Sequence, residues 1–172
     1  MTEHDARILR GKRVVLRRGV VEDLDRLSQI RREPEVARWW GDFEVEEIEE
    51  EFVRADNGFV IEVDGEVVGA IQYAEENEPM YRHAGVDIFL TTSRRGQQLG
   101  SEAIRVLARY LFGERCHHRL TIDPAANNDA AIRAYERVGF RKVGVMRQYE
   151  RAPDGRWRDG LLMEMLREDF KE

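Results

Sequence analysis

Apolar residues in this chain recur at two spacings, and the switches between them lay out its elements. Val14 and Leu16 alternate with basic neighbours as in a half-buried strand. Val21, Leu24, Leu27 and Ile30 then repeat at helical spacing, and Pro34 ends that helix. Val45, Ile48 and Phe52 mark one face of a short helix over residues 45–55, ringed by Glu44, Glu46, Glu47, Glu49, Glu50 and Glu51. Residues 59–63 and 67–73 are apolar runs joined by Asp64-Gly65, a two-residue hairpin signal. Residues 82–91 read as a third strand. A polar loop holding Gly96 and Gly100 follows it and opens a helix with Ala103, Ile104, Leu107, Tyr110 and Leu111 on one face. A strand over 119–123, a helix from about Asn128 to Val138 stopped by Gly139, and strands over 140–149 and 160–166 turned by Asp154-Gly155 complete the pattern. Hairpins followed by strand and helix in alternation predict an α/β sandwich with a mixed sheet. In it the strands 82–91 and 119–123, joined by a helical crossover, run parallel.

Composition narrows the classes of partner. The 172 residues are 42% hydrophobic, with no repeat, low-complexity tract or linker, so one domain over 1–172 is expected. Lys and Arg number 28 against 34 Asp and Glu, a net charge of −6. That balance argues against a nucleic acid held by its phosphates and favours a cationic partner. The lone Cys116 allows no intramolecular disulfide and fits a reducing compartment, for which the cytoplasm is the simplest address. The first thirteen residues carry charges throughout, and no window approaches the roughly 18 apolar residues of a membrane span, so neither export nor a membrane partner is expected.

Candidate chemistry begins at the loop 94–101. It offers backbone N–H groups, Arg94, Arg95 and the positive end of a helix dipole, which together suit a phosphate or pyrophosphate; a plain capping loop has the same look. Cys116, His117 and His118 are adjacent, so their side chains do not converge, and no spaced ligand completes a metal site; no metal is expected. His4 and His83 complete no site either. The glutamates at 44–51 and the run Glu75, Glu76, Glu78 are either solvated faces or a field that steers a polycation.

The loop gains meaning from a second segment. Residues 128–140 follow the pattern Asn-x-x-Ala-x-x-x-Tyr-x-x-x-Gly-Phe after a strand ending in Asp123-Pro124. With Arg95-Gly96-Gln97-Gln98-Leu99-Gly100 this resembles the acetyl-CoA site of the GNAT N-acetyltransferase superfamily, and the element order over about 12–168 resembles that family's fold. The resemblance implies a central sheet that is mixed but mostly antiparallel, with a splayed parallel pair and helices on both faces. It implies that backbone groups of Ile88, Phe89 and Leu90 pair with the pantetheine arm, and a backbone N–H near Leu90 is then placed to stabilise the tetrahedral oxyanion. The loop Arg95, Gly96, Gln97, Gln98, Leu99, Gly100 and Ser101 would cradle the pyrophosphate. Asn128 would cap the next helix and contact the cofactor, with Ile132 and Tyr135 beside it. Tyr135 is the implied general acid: a phenol of pKa about 10 matches a leaving thiolate of roughly 8.5 to 9. The family's loop has a glycine where this chain has Gln98, and a Cβ there is tolerated if φ is negative, as in a first helical turn; that conformation is expected.

Within the superfamily, residues 35–41 with Trp39 and Trp40, the strand around Asp87, and Asp123-Pro124 are similar to the aminoglycoside 6′-N-acetyltransferases. That likeness implies Asp87 as base toward the amine and Asp123 as a ligand for a cationic acceptor. Chemistry supports the first assignment, since an ammonium must lose a proton before attacking a thioester. Asp87 is also readable as a solvent-facing or arginine-paired strand residue, and Asp123 as a strand terminator. Trp39 and Trp40 point about 100° apart on a helix, so one walls the acceptor site or the pair serves core and lid. The implied activity is direct acetyl transfer from acetyl-CoA to a primary amine of a small cationic, aminoglycoside-like acceptor, with a homodimer left open. The closing segment 160–170 also resembles ribosomal-protein N-terminal and polyamine acetyltransferases. A non-catalytic acyl-CoA-binding module is the reading that Gln98 favours.

Overall fold

The structure is a computed structural model that describes residues 7–172; His4 lies outside the described residues. Its elements are β1 (Ile8–Arg10), β2 (Val14–Arg17), α1 (Leu24–Arg32), α2 (Pro34–Trp40), α3 (Val45–Glu49), β3 (Gly58–Val63), β4 (Glu66–Glu76), β5 (His83–Leu90), α4 (Leu99–Gly113), β6 (Arg119–Ile122), α5 (Asp129–Val138), β7 (Arg141–Arg151) and β8 (Trp157–Leu166). Eight strands form one sheet in the order β1-β2-β3-β4-β5-β6-β8-β7, and among the named pairs only β5 and β6 run parallel. This is the mixed, mostly antiparallel α/β architecture expected from the pattern. No helix among the described residues is long and apolar enough to cross a membrane.

Each sheet face buries its own core. Leu99, Ala103, Ile104, Leu107 and Leu111 of α4, with Ile132 and Val138 of α5, pack against Val14, Leu16, Ile71, Val86, Leu120, Met163 and Met165. On the other face Leu27 and Ile30 of α1, Val36 of α2, Ile48 of α3 and Phe52 close over Val60, Val67, Ala70 and Phe89. Burying one such side chain stabilises by roughly 1.5–3 kcal/mol, so both layers are held mainly by this removal of apolar surface from water. The hairpin turn between β3 and β4 forms as expected, with Asp64 at φ 53° and Gly65 at φ 79°.

Three local expectations change. Pro34 does end α1, but it also opens α2 as its first residue, where a missing N–H leaves nothing unsatisfied. Val21 lies in a 3-10 turn ahead of α1 and is 61% exposed, so it stands outside the core that its spacing suggested. The helix over 45–55 is α3 followed by a π-type turn at Glu50–Arg54.

The feature that positions the site is a parting of the sheet. β5 pairs with β4 along its whole length, but with β6 only at Ala84↔Leu120 and Gly85↔Thr121. Beyond Thr121 the chain is drawn toward β8: Leu161 N–H donates to the Pro124 carbonyl at 2.8 Å, and Ala126 N–H to that of Asp159 at 2.9 Å. The far half of β5, Asp87 to Leu90, therefore has no strand on its β6 side.

Candidate active site

Strand alternation sorts the residues around the parting. Ala84, Val86, Ile88 and Leu90 face the core beneath α4 and α5, while Phe89 joins the opposite core, which places Asp87 on that same opposite face. In β6, Leu120 and Ile122 point into the first core, so Asp123, next in line, shares Asp87's face. A cavity of about 200 Å³ lies where the strands part, lined by Ala74, Gly85, Val86, Asp87, Thr121, Ile122 and Asp123.

Asp87 keeps an open side to solvent, while protein crowds the remainder of its carboxyl. Loss of solvation there, reinforced by the negative charges of Asp123, Glu51 and Glu150, raises its pKa to about 6. Tyr135, on α5, is half-exposed and rests edge-on to Phe140 with ring centroids 6.3 Å apart. Burial of its hydroxyl, with the charges of Asp87 and Asp123, holds its phenol well above the usual range, so it carries its proton at neutral pH. A proton acceptor poised near neutrality and a proton donor that stays loaded thus come together from opposite faces of the parted sheet.

The loop before α4 supplies an anion cradle of backbone groups. Gly96 and Gln98 both take positive φ, 75° and 60°, and the first-turn N–H groups of α4 have no partners within the helix. Gln98 corrects the expectation of negative φ: it sits in the left-handed region at ψ 17° as the residue preceding α4. The reason is geometric, since the loop must reverse to aim the helix start at the parting. The expected guanidiniums are turned elsewhere, Arg94 to the Glu66 carboxylate at 3.2 Å and Arg95 to the Glu35 carbonyl at 3.3 Å. Ser101 is buried with its hydroxyl on the Ala134 carbonyl, and Leu99 and Ile132 are core residues, so in the loop it is backbone that faces an anion. Asn128 caps α5 as expected, its Oδ1 accepting from Ala131 N–H at 3.3 Å.

The two tryptophans divide. Trp40 packs edge-on against Phe89 at 5.2 Å with the Arg31 guanidinium over its ring, a core role. Trp39 lies between Arg38 and Arg158, at 4.7 and 5.5 Å, on the side of β8. Cys116 is exposed and His117 fully buried on the Glu75 carboxylate at 2.7 Å, so these neighbours do diverge. Glu75 itself is not a solvated face, because Arg115 and His117 both bind its carboxylate.

Four residues of the site, Glu33, Tyr149, Glu150 and Arg158, escape a sequence reading, and a fifth, Glu51, is legible there only as one of the glutamates that could steer a polycation. Glu33 binds Thr91 Oγ1, Thr92 Oγ1 and Thr92 N–H, anchoring the start of the anion loop to the junction of α1 and α2. Glu51 and Glu150 add charge around Asp87, and Arg158 grips Glu150 and the carbonyls of Arg38 and Trp39. Tyr149 donates its hydroxyl to Asp123 Oδ2 at 2.5 Å. Each acts through a partner more than twenty residues away or across a break in strand register; the broken alternation at Arg147-Gln148 is the one local signal.

With this geometry in hand, known proteins were compared. A family model described as the acetyltransferase (GNAT) family matches residues 24–140. The chain is 27% identical over 164 residues to an aminoglycoside N(6′)-acetyltransferase type 1 of Klebsiella pneumoniae, covering 83% of this chain and 79% of that protein. It is also 27% identical over 154 residues to a spermidine N(1)-acetyltransferase of Escherichia coli strain K12, covering 83% and 80%. Among solved structures, AAC(6')-Ib in complex with paromomycin and acetyl-CoA superposes with a TM-score of 0.73 at 24% identity, covering 92% of this chain and 96% of that one, which shows a shared fold.

Proposed function

The chain belongs to the acetyltransferase (GNAT) family, and from that premise we propose that it moves an acetyl group from acetyl-CoA directly onto a primary amine of a small acceptor carrying several positive charges. The observation that carries the acceptor class is the cleft itself: Asp87 and Asp123 line one open cavity, and the charges of Glu51 and Glu150 reach Asp87 in it. Such a field concentrates polycations and rejects neutral or anionic amines. Aminoglycosides come first among them, supported by the likeness at Trp39, Asp87 and Asp123 and by the named relative; polyamines are the alternative, supported by the spermidine-acetylating relative at equal identity. A cytoplasmic setting, which the lone Cys116 suits, holds both donor and acceptor.

The residues fit the donor. The unpaired edge offers the N–H and C=O groups of Ile88 and Leu90 to an amide-bearing arm, those of Phe89 between them being turned to β4 in the same register as Thr91 N–H on Val68; the backbone of residues 96–101 with the α4 dipole offers a seat for a pyrophosphate. Acetyl-CoA supplies an activated acyl carbon and a thiolate leaving group. Asp87 attracts the acceptor's ammonium and takes its proton, which a carboxyl poised near 6 does readily at neutral pH. Tyr135 Oη holds the proton that neutralises the departing sulfur, and the N–H of Leu90 faces the developing oxyanion. Asp123 holds a second cationic group of the acceptor.

Acceptor-dependent release of free CoA thiol tests the reading, with kanamycin, spermidine and an Ala-initiated peptide compared. Saturable release with kanamycin or spermidine and none with the peptide is expected. Release with the peptide alone would replace the acceptor class, and acetyl-CoA binding without release would leave a binding module.

A further inference from the structure

β7 is irregular where it meets the cleft. Between Met146, opposite Gly160, and Glu150, opposite Arg158, it has three residues where β8 has only Asp159. Gln148 takes the left-handed conformation at φ 50°, and its N–H donates to Asp159 Oδ1 at 2.8 Å. The carbonyl of the same Asp159 accepts from Ala126, three residues past Asp123. One residue of β8 thus fixes both the bulge and the segment carrying Asp123. Bulges redirect side chains, and this one turns the Tyr149 hydroxyl onto Asp123 Oδ2. The carboxyl of Asp87 accepts no hydrogen bond among the described residues, so the two aspartates of the cleft differ in this donor.

We propose that Tyr149 is a positioning residue that divides the roles of the two aspartates: its hydrogen bond holds Asp123 in the orientation that anchors the acceptor's cation, and leaves the carboxyl of Asp87 free to exchange the proton. The proposal rests on the acetyl-transfer reading and assigns roles within it. A hydrogen bond to a carboxylate oxygen fixes the direction of that side chain, whereas a carboxyl without a donor can turn toward the amine whose proton it takes. The groups facing Asp87 are Asp123 after β6, Glu51 of the π-type turn, Glu150 and Tyr149 of β7, and Tyr135 of α5. Glu150 is neutralised in part by Arg158, and Glu51 by Arg31. Tyr149 is itself pushed up to about 12, first by its bond to Asp123, so it remains a donor throughout the working range.

The test compares wild type, Tyr149→Phe, Asp123→Asn and the double variant by carbon-13 NMR titration of the aspartate carboxyls and by the pH dependence of acceptor KM and kcat. In wild type and in Tyr149→Phe alike the step near pH 6 belongs to Asp87. Acceptor KM in Tyr149→Phe rises about threefold at pH 6 and pH 8 alike, the size of one lost hydrogen bond, while the pH limb of kcat keeps its place. In the Asp123→Asn background Tyr149→Phe adds nothing. An unchanged acceptor KM in Tyr149→Phe, or a further rise when Tyr149→Phe is added to Asp123→Asn, overturns the proposal while leaving acetyl transfer standing. Absent turnover in wild type removes the acetyl-transfer reading, and the Asp123 carboxyl carbon shift in Tyr149→Phe still decides whether the bond is made.

Discussion

Solvent loss and the carboxylates of Asp123, Glu51 and Glu150 act on Asp87 in one direction, and two outcomes follow from its rise to about 6. Activity that needs its ionised form climbs between about pH 5 and 7, and a kcat/KM profile checks this; Asp87→Asn abolishes that limb. Stability runs the opposite way. The folded-state value lies above the ordinary 3.8, so between about pH 4 and 6 the folded protein binds more protons than the unfolded chain and loses stability as pH rises. Asp87→Asn is therefore expected to raise the midpoint of thermal unfolding at pH 7.5 and to leave it unchanged at pH 4. Tyr135→Phe removes the phenol hydroxyl, and with it the proton for the leaving sulfur, while keeping the ring: kcat is expected to fall by about 10²-fold or more, with acetyl-CoA affinity, read by calorimetry, unaltered.

Elements meet at a few polar joints, and these set where one element's change is felt by another. Glu75 of β4 is held to about 2, chiefly by its paired hydrogen bonds with Arg115 beyond α4 and then by buried His117. Its stabilisation is complete above the ordinary carboxylate range and is lost as pH falls toward 2. Glu75→Gln is expected to lower unfolding free energy in urea by about 2 kcal/mol at pH 7 and by much less at pH 2. Arg158 joins β8 to the last turn of α2 and to Glu150 of β7. Arg158→Gln loosens the acceptor wall, so steady-state kinetics are expected to show acceptor KM rising several-fold with acetyl-CoA KM unchanged. Gln98 holds a left-handed conformation before α4, and Gln98→Gly is expected to stabilise the protein by about 1 kcal/mol without weakening acetyl-CoA binding.

For the whole molecule, net charge −6 understates the cleft, because many surface acids are answered by nearby arginines while Asp87 and Asp123 line one cavity and Glu51 and Glu150 add their charge at Asp87. Attraction of a polycation to that field is screened by salt. Raising ionic strength from 0.05 to 0.5 M is expected to lower kcat/KM for kanamycin or spermidine far more than for a monoamine, with kcat nearly constant. The same chain leaves β7 as a largely exposed edge with Val143 and Val145 open to solvent. Alternation of Val143 and Val145 there marks a strand without marking a buried face.

Local order and chemistry were legible from the residues alone. Hydrophobic periodicity located nearly every helix and strand, Asp64-Gly65 the hairpin, and the segments 95–101 and 128–140 the family, because those signals depend on neighbours in sequence. Asp87 and Tyr135 were legible as candidates through the same motifs. Tertiary structure alone decided which groups act on them. The parting of β5 from β6, the positive φ of Gln98, the turn of Arg94 and Arg95 away from the loop, and the convergence of Glu51, Tyr149, Glu150 and Arg158 all depend on register and on contacts between distant segments. A carboxyl's pKa and a tyrosine's direction are sums over such contacts. No single stretch of sequence contains them.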